Sequence, residues 1–94
     1  MKTVRQAIAS LLQENEMTAR DLSRAAGVPE KEVCDHLVHI RRSMRTGRSA
    51  FSMTPPECLA CGYVYADRRR LTRPGRCPRC KSTHLTPPSF RIDG

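Results

Sequence analysis

The 94-residue sequence contains no tryptophan and only two phenylalanines and two tyrosines. Aromatic side chains bury the largest apolar areas in protein cores, so the hydrophobic core of this chain must be small. A chain of this length forms one small domain or two very small units. Small units commonly need a disulfide or a structural metal for stability. The cysteines are therefore the candidate residues for such a disulfide or metal site.

Long apolar runs and a targeting segment are also absent. No run approaches the about 20 apolar residues that a membrane-spanning helix requires, so we expect no membrane partner. The chain begins Met1-Lys2-Thr3 and passes directly into an amphipathic pattern, so we expect no signal peptide. We therefore expect a cytoplasmic protein, in which clustered cysteines bind metal more often than they form disulfides.

The signatures of an enzyme are missing as well. The sequence has no ordered Ser-His-Asp set, no glycine-rich phosphate loop and no paired catalytic carboxylates. A chain this short also has little room to enclose a substrate cavity. We therefore expect neither an enzyme nor a small-molecule substrate.

Acidic residues are scarce relative to basic ones. Nine Asp and Glu stand against seventeen Lys and Arg, which gives a net charge of +8, and fourteen of the cations are arginine. Such an excess favours a polyanionic partner, above all nucleic acid. General solubility and a genome-wide bias toward arginine are the alternative explanations.

Four of the five cysteines form two C-x2-C pairs, Cys58 with Cys61 and Cys77 with Cys80, separated by fifteen residues. Each pair can fold into a tight knuckle, and two facing knuckles present four sulfurs as a tetrahedron. Gly62 suits the sharp turn that follows the first pair. We predict one structural Zn2+ bound by the four cysteine thiolates, with no open coordination position. Two disulfides are the weaker alternative, and iron stays open because tetrathiolate sites suit it too.

Apolar periodicity predicts three helices, over residues 3 to about 15, about 19 to 26 and about 30 to 42. Thr3 and Gln6 match a capping box at the start of the first helix. Thr18 caps the second helix, and Gly27 ends it. Two short helices joined by a glycine turn, after a first helix that completes their core, have the layout of a helix-turn-helix.

Two short strands are predicted on either side of the cysteine segment, at 50–54 and 88–92. Apolar and polar residues alternate in both, and proline pairs bound them on the cysteine side. If the strands pair, they form a hairpin that carries the cysteine ribbon in place of its turn. The alternative is a helical domain with a free ribbon on a flexible linker, and strand pairing distinguishes the two layouts.

The motifs together carry a resemblance to a known family. They are Gly27-Val28 with Val33-x-x-His36-Leu37, Pro55-x-x-Cys58-x-x-Cys61-Gly62-Tyr63, Pro74-x-x-Cys77-Pro78-x-Cys80, and Pro87 or Pro88 before Phe90. The first resembles the winged helix-turn-helix of bacterial and archaeal regulators. The whole set resembles a small family of predicted prokaryotic transcriptional regulators, in which a winged helix-turn-helix carries a rubredoxin-like zinc ribbon in its wing. The resemblance covers nearly the whole chain.

The resemblance implies an α+β fold, a winged helix-turn-helix of three helices and a two-stranded wing with an inserted zinc ribbon. It divides the chain into residues 1–54, the winged helix-turn-helix with the first wing strand, 55–87, the zinc ribbon insert, and 88–94, the second wing strand.

The function that it implies is a DNA-binding transcriptional regulator, with the recognition helix at about 29–42 in the major groove of double-stranded DNA. The candidate DNA-binding residues are Lys31, Cys34, His36, Arg41, Arg42, Arg45, Arg48, Arg68, Arg69 and Arg70. Homodimerisation and a protein partner in transcription stay open.

Three acids at the leading end of that helix complicate this interpretation. Glu30, Glu32 and Asp35 are repelled by phosphates, although the first two also complement the helix dipole. The alternative hypothesis is a protein-interaction adaptor of the transcription machinery that uses the same surfaces.

Overall fold

The computed structural model describes residues 3–44 and 50–93. Its elements are, in chain order, α1 (Val4–Glu14), β1 (Met17–Thr18), α2 (Ala19–Ala26), α3 (Glu30–Ser43), β2 (Ala50–Thr54) and β3 (Ser89–Asp93). The three predicted helices are confirmed, with ends that differ by one residue or none. The candidate DNA-binding residues Arg45 and Arg48 lie outside the described residues.

The first two helices begin at the predicted capping residues. The hydroxyl of Thr3 accepts from the backbone N–H of Gln6 at 3.2 Å, and the Gln6 side chain accepts from the Thr3 N–H at 2.9 Å. Thr18 and Asp21 make the same reciprocal pair at 3.1 Å each. Gly27 ends α2 with φ of 72°, a left-handed conformation that glycine adopts without steric cost. Local sequence therefore determines these boundaries.

α3 begins without a side-chain cap, after Pro29. Its first turn carries Glu30 and Glu32, and its last turn carries Arg41 and Arg42. Acids near the N-terminus and cations near the C-terminus of a helix both interact favourably with its dipole. The order of charge along α3 is therefore explained by helix stability without any partner.

The strands form one antiparallel sheet in the order β1-β3-β2. β2 and β3 pair over five residues, from Ala50 opposite Asp93 to Thr54 opposite Ser89. This pairing across the ribbon was predicted and is confirmed. The predicted two-stranded arrangement is incomplete, because β1 pairs with β3 and places Met17 opposite Phe90. A strand of two residues is too short to show alternation in a sequence.

The main core lies between the helices and the inner face of β3. Its fully buried members include Ile8, Leu12, Leu22, Val33, Leu37 and Phe90. Phe90 stacks on the half-buried Phe51 of β2, with ring centroids 5.9 Å apart. Burying one such side chain contributes about 1.5–3 kcal/mol. The last strand of the chain therefore completes a core that the first helices begin.

Residues 55–88 contain no extended strand in the part of the chain that the structure describes. Two isolated bridges, Glu57 with Val64 and Cys58 with Leu85, connect their backbone. No described helix is long and apolar enough to cross a membrane.

Candidate metal centre and basic surface

The two C-x2-C pairs fold into knuckles of the same shape. The N–H of Gly62 donates to the carbonyl of Cys58 at 2.9 Å, and the N–H of Lys81 donates to the carbonyl of Cys77 at 2.8 Å. Both donors have positive φ, 80° for the glycine and 64° for the lysine. The glycine prediction is confirmed for the first knuckle. The second knuckle holds an L-residue in a conformation that costs roughly 1–2 kcal/mol.

The four predicted ligand sulfurs come together. Their Sγ atoms all lie within 4.8 Å of one another, with Cys58 to Cys80 at 3.5 Å and Cys61 to Cys77 at 3.7 Å. A tetrahedron of sulfurs around zinc, with Zn–S of about 2.3 Å, has edges of roughly 3.8 Å. The donor set therefore fits a structural tetrathiolate metal site, and all four cysteines are free rather than in disulfides.

A small apolar cluster covers one side of the sulfurs. Cys58 and Cys77 are buried, and they pack with Tyr65 and Leu85. Tyr63 meets Tyr65 edge to face, with ring centroids 5.0 Å apart. These contacts shield one side of the sulfurs from solvent. They also leave Cys61 and Cys80 on the exposed side of the site.

The thiol chemistry of the site favours metal binding. Burial acts to raise the pKa of Cys77, but the backbone N–H groups of Cys80 and Arg79 and the neighbouring thiols lower its pKa to about 6. The Ser82 N–H acts to lower the pKa of Cys80, but burial and hydrogen bonds with the neighbouring thiols raise this pKa to about 12. Cysteine binds a metal as the thiolate, so a divalent cation at this site would displace thiol protons.

Arginines of the ribbon support the cluster from within the chain. The guanidinium of Arg68 lies 5.8 Å from the centre of the Tyr65 ring and donates to the Thr72 carbonyl at 3.0 Å. The Tyr65 hydroxyl donates to the Arg76 carbonyl at 2.9 Å. Arg73 donates to the backbone of the cluster residue Leu85 at 3.0 Å. Arg68, predicted to contact DNA, is therefore half-buried in a structural role.

The candidate DNA-binding residues on α3 differ in their exposure to solvent. Lys31 and Arg42 are exposed. His36 is half-buried, and its Nδ1 accepts from the Arg5 guanidinium of α1 at 3.3 Å. Cys34 is half-buried, and its pKa is raised by burial and by two neighbouring acids, which keeps it a thiol.

The remaining candidates meet between α3 and the ribbon. The loop of residues 68–73, named here the docking loop, lies along α3. Arg41 donates from Nη1 to the Arg69 carbonyl at 2.7 Å. Arg41, Arg69 and Arg70 line a groove of about 570 Å³ together with one acid, Asp35. Arg69 and Arg70 are exposed.

Leu71 was missed by the sequence analysis. It is only 5% exposed and belongs to the hydrophobic cluster of the helices, although it lies in the ribbon segment. A signal exists in the sequence, since Leu71 is the one large aliphatic residue among the polar and basic residues between Asp67 and Arg76.

Comparisons with known proteins match the helical part and the zinc ribbon of the chain separately. Residues 3–50 match the family described as PF0610-like, N-terminal, and residues 55–94 match the PF0610 rubredoxin-like zinc beta-ribbon domain. The solution NMR structure of protein PF0610 from Pyrococcus furiosus is similar to this chain. The sequence identity is 26% and the TM-score 0.79, over 97% of this chain and 89% of that chain. No curated protein matches the sequence.

The matches confirm the rubredoxin-like zinc ribbon that the family resemblance implied. Neither family description states what the helical part does, so the predicted DNA binding stays a prediction.

Proposed function

The chain belongs to the PF0610-like family. From its fold and its basic surface we propose that it is a DNA-binding transcriptional regulator. In this proposal α1–α3 and the sheet form a winged helix-turn-helix. α3 lies in the major groove, and the ribbon carried between β2 and β3 contacts the phosphate backbone. A single Zn2+ on the four cysteines stabilises the ribbon.

The connection between α2 and α3 supports the helix-turn-helix part of the proposal. Gly27 reverses the chain in a left-handed conformation, and α2 packs on α3 through buried Leu22, Val33 and Leu37. The β2–β3 pair follows α3 in the chain, where a winged helix has its wing. The short β1 adds a third strand between α1 and α2.

The observation that carries the DNA-binding proposal is the groove between α3 and the docking loop. Three arginines and one acid line it, and two of the arginines are exposed. Guanidinium groups bind phosphates with two parallel hydrogen bonds. A cationic groove beside a helix therefore fits a phosphate backbone that runs next to a major groove.

The outward residues of α3 contribute little net charge to this surface. The two exposed cations, Lys31 and Arg42, are outnumbered by three exposed acids, Glu30, Glu32 and Asp35. Most of the affinity would then come from phosphate contacts of the groove, and the role of α3 would be to read base edges. A carboxylate can accept a hydrogen bond from a cytosine amine.

The metal has a structural role in this proposal. Four thiolates complete a tetrahedral shell and leave no position for a substrate, so the metal stabilises the fold of the ribbon. Iron would fit the same sulfurs and would make the protein an electron carrier. The colour of the purified protein separates the two, because zinc tetrathiolates are colourless.

The exposed acids of α3 favour a second candidate function, a protein-interaction adaptor of the transcription machinery. Glu30, Glu32 and Asp35 lie on the exposed N-terminal half of the helix. Such a surface suits a basic partner protein better than a polyanion. The double variant Glu30→Lys with Glu32→Lys distinguishes the two functions. It should strengthen DNA binding if the protein is a regulator, and it should weaken docking on the partner protein if it is an adaptor.

The direct test is a fluorescence-anisotropy titration of the metal-loaded protein with random duplex DNA at several salt concentrations. Each neutralised phosphate contributes about 0.9 to the slope of log K against log salt, so the groove predicts a slope of roughly −2 to −4. Arg70→Gln should reduce the slope by about 1.

Arg91→Gln is the matched control for this titration. Arg91 is exposed, but its guanidinium already pairs with Asp93 at 3.0 Å. Its removal should leave the slope unchanged. A salt-independent affinity, or no binding at low salt, would contradict the proposed function and favour the adaptor.

A further inference from the structure

The docking loop joins two parts of the molecule that have separate cores. Leu71 is inserted into the helical core and is 5% exposed. Cavities of about 360 and 570 Å³ flank it, and both are lined by Leu71 and by Cys34 of α3. Leu71 therefore lies over the middle of α3, the helix proposed to read DNA.

A second contact fixes the same loop further along α3. Arg41 Nη1 donates to the Arg69 carbonyl at 2.7 Å. A charged donor on a carbonyl forms one of the stronger hydrogen bonds. Because this bond involves the loop backbone, it holds the loop itself and leaves the Arg69 and Arg70 side chains at the groove.

The beginning of the loop is also fixed to the metal cluster. Arg68 stacks on Tyr65, which packs on Cys58 and Cys77. The Tyr65 hydroxyl donates to the Arg76 carbonyl just before Cys77. A continuous series of packed and hydrogen-bonded groups therefore runs from the sulfurs through Tyr65 and Arg68 to the Thr72 carbonyl, next to Leu71.

We propose that the docking loop transmits the metal state of the ribbon to α3. The ribbon cluster comprises only four buried residues and Tyr63, which is too small a core to remain folded without the metal. When the four thiolates bind a metal, Tyr65 and Arg68 are fixed and Leu71 covers α3. When the metal leaves, the loop loses its support, Leu71 leaves the core, and the groove beside α3 is lost.

The consequence for DNA rests on the proposed function. The groove arginines would be assembled against α3 only in the metal-loaded protein, so metal loss would lower DNA affinity while the helices stay folded. The transmission itself does not require DNA and can be measured without it.

The test compares hydrogen exchange of the α3 amides 34–41 in metal-loaded and chelator-treated protein. In the wild type, chelation should accelerate exchange roughly tenfold, as expected when local packing is removed but the unit stays folded. Leu71→Ala keeps all four ligands, and we expect its metal-loaded form to exchange as fast as chelated wild type. In this variant, chelation should accelerate exchange by less than about twofold, because the contact of Leu71 with the helical core is already absent.

Leu59→Ala is the matched control. Leu59 lies in the ribbon but is 67% exposed, so the same chemical change should leave α3 exchange and its response to chelation as in the wild type. If Leu71→Ala fails to fold, Arg41→Ala provides the second test. It removes the bond to the loop carbonyl while Leu71 and all four ligands remain, and it should partly accelerate exchange in the metal-loaded form.

Two results are decisive and separate the proposals. If chelation leaves α3 exchange of the wild type unchanged, the transmission is refuted whatever the protein binds. If α3 responds as expected but the protein binds no DNA at any salt, the transmission stands and the regulator function fails.

Discussion

Replacing Gly62 with alanine should weaken metal binding through the backbone alone. Gly62 has φ of 80°, and a Cβ added there would meet no atom within 4 Å. The substitution therefore creates no clash. Its cost comes from holding an L-residue in the left-handed region. The backbone N–H of residue 62 can still donate its hydrogen bond to the Cys58 carbonyl.

The expected size follows from two opposing effects. The left-handed conformation costs an L-residue roughly 1–2 kcal/mol, and the loss of glycine freedom in the unfolded chain returns about 0.4–1 kcal/mol. The net loss is about 1 kcal/mol. Because folding of the ribbon and metal binding are coupled, this loss should appear as a roughly fivefold lower metal affinity.

Competition with a chromophoric chelator at fixed pH measures this change. Gly75→Ala is the matched control, because Gly75 has no positive φ and an added Cβ there also meets nothing within 4 Å. Its metal affinity should be unchanged or slightly higher. Equal losses for both variants would refute the conformational argument, since flexibility rather than the left-handed turn would then be limiting.

Two further predictions concern the core and the thiols. Phe90→Ala should lower the free energy of unfolding by about 3–5 kcal/mol, because Phe90 is fully buried. Thermal denaturation should show a clearly smaller loss of stability for Phe51→Ala, because Phe51 is only half-buried. The reverse order would contradict the assigned core. As the pH is lowered, metal affinity should fall more steeply below pH 6 than above it. The reason is that the pKa of Cys77 is lowered to about 6, so that below this pH a proton competes with the metal for the thiolate. Metal titrations on both sides of pH 6 test this, and a constant slope of log affinity against pH would contradict it.

Features that depend on short-range chemistry could be predicted from the sequence. The reciprocal hydrogen bonds of Thr3 and Thr18 involve residues three positions apart, and the turn at Gly27 is a property of one residue. The four sulfurs converge because each C-x2-C pair determines its own knuckle. The β2–β3 pairing was a longer-range inference, supported by the symmetry of two strands around one insert.

Features that depend on contact between distant segments could not be predicted. β1 is two residues long and is defined only by its partner β3. Leu71 is isolated among polar neighbours in the sequence, and its burial depends on how the ribbon lies on α3. Lys81 adopts positive φ without being glycine, because the knuckle geometry requires that turn at its position.

The placement of the arginines changes what the net charge of +8 means. Backbone carbonyls accept hydrogen bonds from Arg41, Arg68 and Arg73. Arg5 donates to His36, and Arg91 pairs with Asp93. These guanidinium groups already have partners within the chain, so composition overstates the number of cations that are free for phosphates. A salt slope estimated from total charge would be too steep, and the exposed groove arginines give the more realistic value. A measured slope well beyond −4 would therefore mean that internally bonded arginines are released on binding, since each phosphate contact contributes about 0.9.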